Sequence, residues 1–208
     1  MVRTRTLALA TLGGVVAAVG ASNLYQRAAT ETVHYTTVAR IDDVELRRYP
    51  ESVVVETVAD SQMAAFRRLF QYITGANEGD AAIEMTTPVE LSVGGATIAM
   101  TAPVEVGGED GERMRFYLPG EYDFETAPRP TDDAVDLVAI PERTLAVRRF
   151  SWRPTENRID RETEALIERL EEANVSIAGE PFSMGYDPPW TLPFLRRNEV
   201  AVEVESSF

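Results

Sequence analysis

MTTPVELSVGGATIAMTAPVEV, residues 85–106, states one pattern twice: Met-Thr-Thr-Pro-Val-Glu-Leu, a Gly94-Gly95 pair, then Met-Thr-Ala-Pro-Val-Glu-Val. Paired glycines accept the positive φ of a tight turn, so the pattern predicts a hairpin of strands over 83–93 and 96–106. Proline has no N–H to give to a ladder, and Pro88 and Pro103 at matching positions make both strands irregular at one level. Met85 and Met100, three residues earlier, place flexible apolar side chains beside those irregularities. Such a wall can border a cleft for a flat apolar ligand; the same methionines can equally pack into the core.

Reading outward, VELRRY and SVVVETV alternate on either side of Pro50 and predict two strands joined as a hairpin. Asp60-Ser61 offers a cap to MAAFRRLFQYI, where Phe66, Leu69, Phe70 and Ile73 recur at i, i+3, i+4 and i+7, a helix that Gly75 ends. Further on, MRFYLP, a Pro- and Asp-rich loop through APRPTDD, and RTLAVRRFS precede a helix from about Thr155 to Ala173, with PFSMGY and NEVAVEVE extended after it. The order strand, strand, helix, strand, strand therefore occurs twice. It predicts an α+β fold, a duplicated unit closing into a distorted antiparallel β-barrel with two flanking helices.

Composition removes several chemistries. The chain has no cysteine, which excludes disulfides, thiolate nucleophiles and Cys-ligated metal sites, and His34 is its one histidine, which makes a His-rich metal site or a Ser-His-Asp triad improbable. The 34 acidic residues outweigh 20 basic ones, all arginine, for a formal net charge of -14. An acidic, lysine-free chain suits high salt, where the Debye length shrinks to roughly 3 Å at 1 M and self-repulsion is screened. The same field opposes a phosphate backbone, so nucleic acid is not the expected partner.

Residues 1–32 read apart from the domain over 33–208. After Arg3 and Arg5, Leu7–Tyr25 carries no charge; as a helix it would extend about 28 Å, close to the roughly 30 Å hydrocarbon core of a bilayer. It predicts either a membrane anchor or, with Val19-Gly20-Ala21 as a cleavage site, a signal segment, followed by a tether over 22–32. Both place the domain outside the cytoplasm, since the arginines stay inside.

IAMTAPVEV, together with VELRRYPESVVVET, FRRLFQYITGANE, RFYLP and YDPPWTLPFLRRNEVAVEV in that order, resembles the SOUL haem-binding protein family over roughly Val33 to Val204. The resemblance implies a β-barrel-like fold with two flanking helices and non-covalent binding of haem or another tetrapyrrole. It also implies a hydrophobic cleft bordered by the first helix, here Ser61 through Thr74. Met63, Phe66 and Phe70 are the matching apolar ring contacts, and Arg67 or Arg68 the partner of the propionates. Met63, Arg67 and Phe70 share a face at i, i+4 and i+7, which favours Arg67. Some family members carry a histidine, proposed as the iron ligand, where this chain has Arg48. A histidine site would need His34, which lies upstream; Tyr49, Tyr186, Met85 and Met100 are the other side chains able to meet iron, and the metal ligand stays open.

Asp187-Pro188-Pro189 forms a stiff turn, Trp190, Leu192, Phe194 and Leu195 provide apolar cover, and in Arg196-Arg197-Asn198-Glu199 a carboxylate can pair with an arginine. The second helix carries Glu162, Glu164, Glu168, Glu171 and Glu172 among arginines, the mark of a solvated face rather than a catalytic carboxylate pair. The glycines at 107, 108 and 111 sit among acids and do not suit phosphate; Asn174-Val175-Ser176 is a glycosylation sequon. No obvious base or nucleophile presents itself. The expected function is thus a non-enzymatic tetrapyrrole-binding protein that buffers, carries or senses its ligand. The alternatives are an enzyme using the same cleft, for haem degradation or hydrolysis of a small hydrophobic substrate, and an interaction domain whose cleft is filled by its own side chains.

Overall fold

The computed structural model describes residues 32–92, 112–188 and 190–205. Along the chain run β1 (Thr36–Ile41), β2 (Val44–Tyr49), β3 (Ser52–Ala59), α1 (Gln62–Ile73), β4 (Val89–Ser92), β5 (Glu112–Tyr117), β6 (Asp136–Ile140), β7 (Arg143–Phe150), α2 (Glu156–Glu172), β8 (Phe182–Gly185) and β9 (Asn198–Glu203). The strands form one antiparallel sheet in the order β1-β2-β7-β9-β8-β4-β5-β3-β6. Its halves mirror each other: β3-α1-β4-β5 and β7-α2-β8-β9 are one plan used twice, meeting where β4 pairs with β8. The fold is α+β and duplicated, as expected.

Three expectations are corrected. β2 and β3 do not pair: β2 lies against β7 and β3 against β5 and β6, so the Pro50 turn carries the chain from one half of the sheet to the other. Alternation marks a strand but says nothing about its neighbour. β4 is not half of an 83–93/96–106 hairpin, because β5 and β8 occupy both its flanks; residues 93–111, Met100 among them, lie outside the described residues. Among the described residues the sheet is also open, with β1 and β6 as its edges, rather than a closed barrel. Those two edges are the strands that the periodicity did not reveal, since an edge strand buries little and TTVARI and DLVAI show no clear two-residue alternation.

Local chemistry places the helices. Ser61 Oγ accepts from Ala64 N at 3.3 Å, capping α1, and Gly75 follows its end at φ +121°, a conformation that suits glycine. The buried stripe of α1 is Ala65, Leu69, Tyr72 and Ile73, packed on Val53, Val55, Met114 and Phe116 of β3 and β5. Phe66 and Phe70 were expected on that stripe; Phe66 is only half-buried and Phe70 is exposed. α2 buries Ile159, Leu166 and Leu170 on Val44, Leu46, Ala146, Val200 and Val202. Each such fully buried Leu contributes about 1.5–3 kcal/mol. The sheet's other face, free of helices, holds Tyr49, Val54, Tyr117, Leu145, Val147, Met184 and Ala201, with Val33 and Tyr35 laid over it.

Candidate tetrapyrrole-binding face

With its core stripe turned to the sheet, α1 leaves a flank at i, i+4 and i+7 facing water. Met63 is 66% exposed, Phe70 is 44% exposed, and Arg67 stands exposed between them. Phe66 and Phe70 stack 5.8 Å apart with their planes 15° from parallel, and Phe66 meets Phe116 edge-on at 5.4 Å, which anchors the stack to the sheet. Met85 packs, half-buried, against the same core cluster as Phe66. The flank is therefore a methionine-edged aromatic ledge. A flat apolar ring can lie on it by stacking.

The two arginines of α1 differ in their commitments. Arg68 Nη1 donates to Thr57 Oγ1 at 3.0 Å and to Val58 O at 3.1 Å, and its Nε lies 3.5 Å from Asp132. Arg67 makes no ion pair among the described residues, which leaves its planar fork of donors available for a carboxylate on a ligand. α1 carries those two arginines and no carboxylate, in a chain of net charge -14. A propionate therefore meets a less hostile local field here than the net charge implies.

Iron ligation finds less support. Tyr186 does not join the α1 residues: it lies on the helix-free side of the sheet, its hydroxyl donating to Glu199 Oε2 at 2.7 Å and its ring under Arg197 at 3.9 Å. Burial pushes that hydroxyl well above the ordinary tyrosine range, and Glu199 adds to the effect, so it does not ionise to a phenolate ligand near neutrality. Tyr49 packs on the same side, its ring 5.2 Å from Tyr35, and exposed His34 belongs to the Thr32–Tyr35 segment laid over it. The residues at α1 thus fit a tetrapyrrole held by stacking and one charge pair.

The helix-free face carries two buried ionic clusters that sequence reasoning reached only in part. Met184 of β8 pairs with Glu199 on one side and Glu90 on the other, so two carboxylates flank one methionine in a single row. Glu199, fully buried, accepts from Arg47 Nη1 at 2.8 Å, Arg47 Nη2 at 3.2 Å, Arg197 Nε at 3.0 Å and Tyr186. Burial alone would raise the Glu199 carboxyl, but hydrogen bonds and charge from Arg47 and Arg197 outweigh it and hold the group below the usual carboxylate range. Glu90 is bonded to Tyr117 and Arg143, with Arg115 Nη1 3.6 Å away and Arg115 Nε held by Glu56 at 2.5 Å. The pairing of Arg197 with Glu199 was legible as adjacent residues; the bond to Arg47, 152 positions away, was not. The available signal was a glutamate embedded in an apolar strand, Val-Glu-Leu at 89–91 and Glu-Val-Ala-Val at 199–202.

A cavity of about 290 Å³ opens beside the second cluster, lined by Glu90, Arg113, Arg115, Arg143, Phe182 and Glu203 among others. It lies at the lower limit for a small-molecule site, roughly 300 Å³, and its walls are charged, so it suits a planar macrocycle poorly.

Comparisons agree with this architecture. The family model described as SOUL heme-binding protein matches residues 30–203. No curated protein matches the chain. Among solved structures, EcmrR in its DNA complex aligns with a TM-score of 0.55 at 12% identity, covering 98% of this chain and 70% of that one. A hydrolase from Listeria innocua aligns at 0.52 and 11% identity, covering 81% and 94%, and an uncharacterized conserved protein from the same organism at 0.51 and 11%, covering 80% and 94%. At such identities these likenesses show a shared fold. The family match spans nearly the whole domain, and with the duplicated sheet and its two helices it makes this chain a member of the SOUL haem-binding protein family.

Proposed function

We propose that this protein binds a haem-type tetrapyrrole non-covalently on the outer flank of α1 and acts as a binding module, not an enzyme, held on the extracytoplasmic side of the membrane by its N-terminal segment. The observation that carries the reading is the Phe66–Phe70 stack, with Phe70 in water, edged by Met63 and served by Arg67, which makes no ion pair among the described residues. The macrocycle lies on the stack, burying the apolar surface that α1 otherwise leaves in water, and one propionate takes the Arg67 fork. The buried carboxylates, tyrosines and arginines of the opposite face are tied to one another, which suits a structural role better than proton transfer.

Because no histidine stands at the ledge, the macrocycle and not the metal supplies the affinity. Haem and metal-free protoporphyrin then bind the full chain with one-to-one stoichiometry and affinities within about tenfold of each other, a difference of about 1.4 kcal/mol. Absorbance titration at molar salt reads both. Arg67→Glu weakens each by about tenfold or more, as expected for a lost charge-assisted hydrogen bond. Saturable binding of neither compound would refute the assignment, and an unaltered affinity in Arg67→Glu would move the ligand off α1.

A further inference from the structure

Exposed large hydrophobic residues gather at a second place that the α1 ledge does not use. Trp152 is 55% exposed, Trp190 70% and Phe194 52%. Trp152 lies in the β7–α2 loop and the others in the β8–β9 loop, and the two loops are tied together: Trp152 N donates to Pro193 O at 2.9 Å and Asn198 Nδ2 to Trp152 O at 2.8 Å. Trp152 holds φ at +78°, a left-handed conformation that a bulky side chain adopts only when its surroundings impose it. Arg196 closes the other loop on itself through Thr191 O and Pro188 O at 3.3 and 3.2 Å. Two braced loops thus hold three aromatic side chains out in water. Stability alone would bury them.

The topology says what faces them. β4 begins, β8 ends, β9 begins and β7 ends at one end of the strands, an edge of the sheet that runs across strand termini and is distinct from the edge strands β1 and β6, as the pairings Val89↔Gly185, Gly185↔Asn198 and Phe150↔Asn198 require. Both aromatic loops leave from that edge. The chain enters the domain there too, because Thr32 bridges Thr87 just before β4 and Val33 N donates to Thr87 O at 2.9 Å. The 31 residues upstream, with the uncharged run Leu7–Tyr25, therefore join the domain at the same end of the strands as Trp152, Trp190 and Phe194. Arg149 and Arg153, exposed and in no ion pair among the described residues, flank Trp152 in a chain that is otherwise strongly acidic.

We infer that this edge is a membrane-docking surface, on which Trp152, Trp190 and Phe194 enter the lipid head-group region while Arg149 and Arg153 meet lipid phosphates. Tryptophan belongs at that depth because its ring is apolar and its N–H needs a polar partner. The inference rests on the tether proposed above and adds an orientation to it: the domain stands edge-down on the bilayer instead of swinging free.

The chain has two tryptophans, and both belong to this surface, so its own fluorescence reports the contact. The full chain is reconstituted with phosphatidylcholine vesicles containing phosphatidylglycerol, separated by flotation, and read for emission wavelength and for quenching by lipids brominated close to the head group. Docking gives flotation, a blue shift and loss of emission by quenching; Trp152→Ser and Trp190→Ser each retain part of the shift. Flotation with water-like, unquenched emission overturns the docking surface and leaves the tether standing. A chain that does not float and whose emission is unchanged overturns both.

Discussion

Helix α1 follows β3 and precedes β4; helix α2 follows β7 and precedes β8, at the equivalent place in the other half of the sheet. Both bury four residues on the same side of that sheet. Their outer surfaces share nothing. α2 has seven acidic residues and three arginines over Glu156–Glu172, with ion pairs such as Arg148 Nε–Glu162 at 3.1 Å and Arg169 Nη1–Glu172 at 2.7 Å, and it leaves no large apolar side chain exposed. α1 has two arginines, no acid, and a methionine and a phenylalanine in water. The two halves share a plan and a buried helix face and differ on their outer ones. In an acidic chain, the half that stays apolar and locally cationic is the one on which we propose that a flat anionic ligand lies.

The sharpest way to break this comparison is to remove what holds the α2 half together from behind. Glu199→Ala strands Arg47 and Tyr186 inside the protein and costs about 3–5 kcal/mol, read as a drop in denaturant midpoint at fixed salt. A loss below about 1 kcal/mol, the scale of an ordinary surface pair, would mean that the cluster is wetter than its burial indicates. Acid tests the same group more gently. The folded-state carboxyl of Glu199 lies below its unfolded value of about 4.3, so its contribution is complete above that pH and disappears as pH falls through the folded value. Glu199→Gln, which cannot ionise, should flatten the fall in stability below about pH 4.3; an unchanged acid limb would assign that fall to other carboxylates.

Smaller effects separate the two outer faces. Phe70→Ala should change stability by only about 0.5–1 kcal/mol, since the side chain is largely in water, while weakening porphyrin binding by about tenfold through loss of the stack. Glu164→Gln with Glu168→Gln on α2 should move stability by no more than about 0.5 kcal/mol and leave porphyrin affinity where it was. If the α2 pair alters binding as strongly as Phe70→Ala, the two halves are not specialised as described.

Much of this was legible along the chain. Ser61 and Gly75 bound the first helix because a side-chain acceptor and a positive φ are local requirements, and Thr155 and Ala173 flank the second where the apolar period stops. Met63, Arg67 and Phe70 could be grouped because helical spacing is fixed by the backbone. Which flank of α1 reached water was another matter. Phe66 and Phe70 fit the apolar stripe as well as Ala65 and Tyr72 do, and only the position of β3 and β5 beneath the helix chose between them.

What the sequence determined by itself, then, is what short-range chemistry decides: where helices start and stop, where the strands other than the edge strands β1 and β6 run, that the plan is used twice, and that cysteine chemistry has no place in it. The tertiary structure decided the partners. β2 pairs with β7 instead of the adjacent β3, Glu199 is neutralised by Arg47 from the far end of the chain, and three aromatic residues from two loops share the end of the strands where Thr32 and Val33 enter. Alternation and charge look the same whichever strand lies alongside. The choice among partners is made by the area buried and the charges matched once the whole sheet assembles.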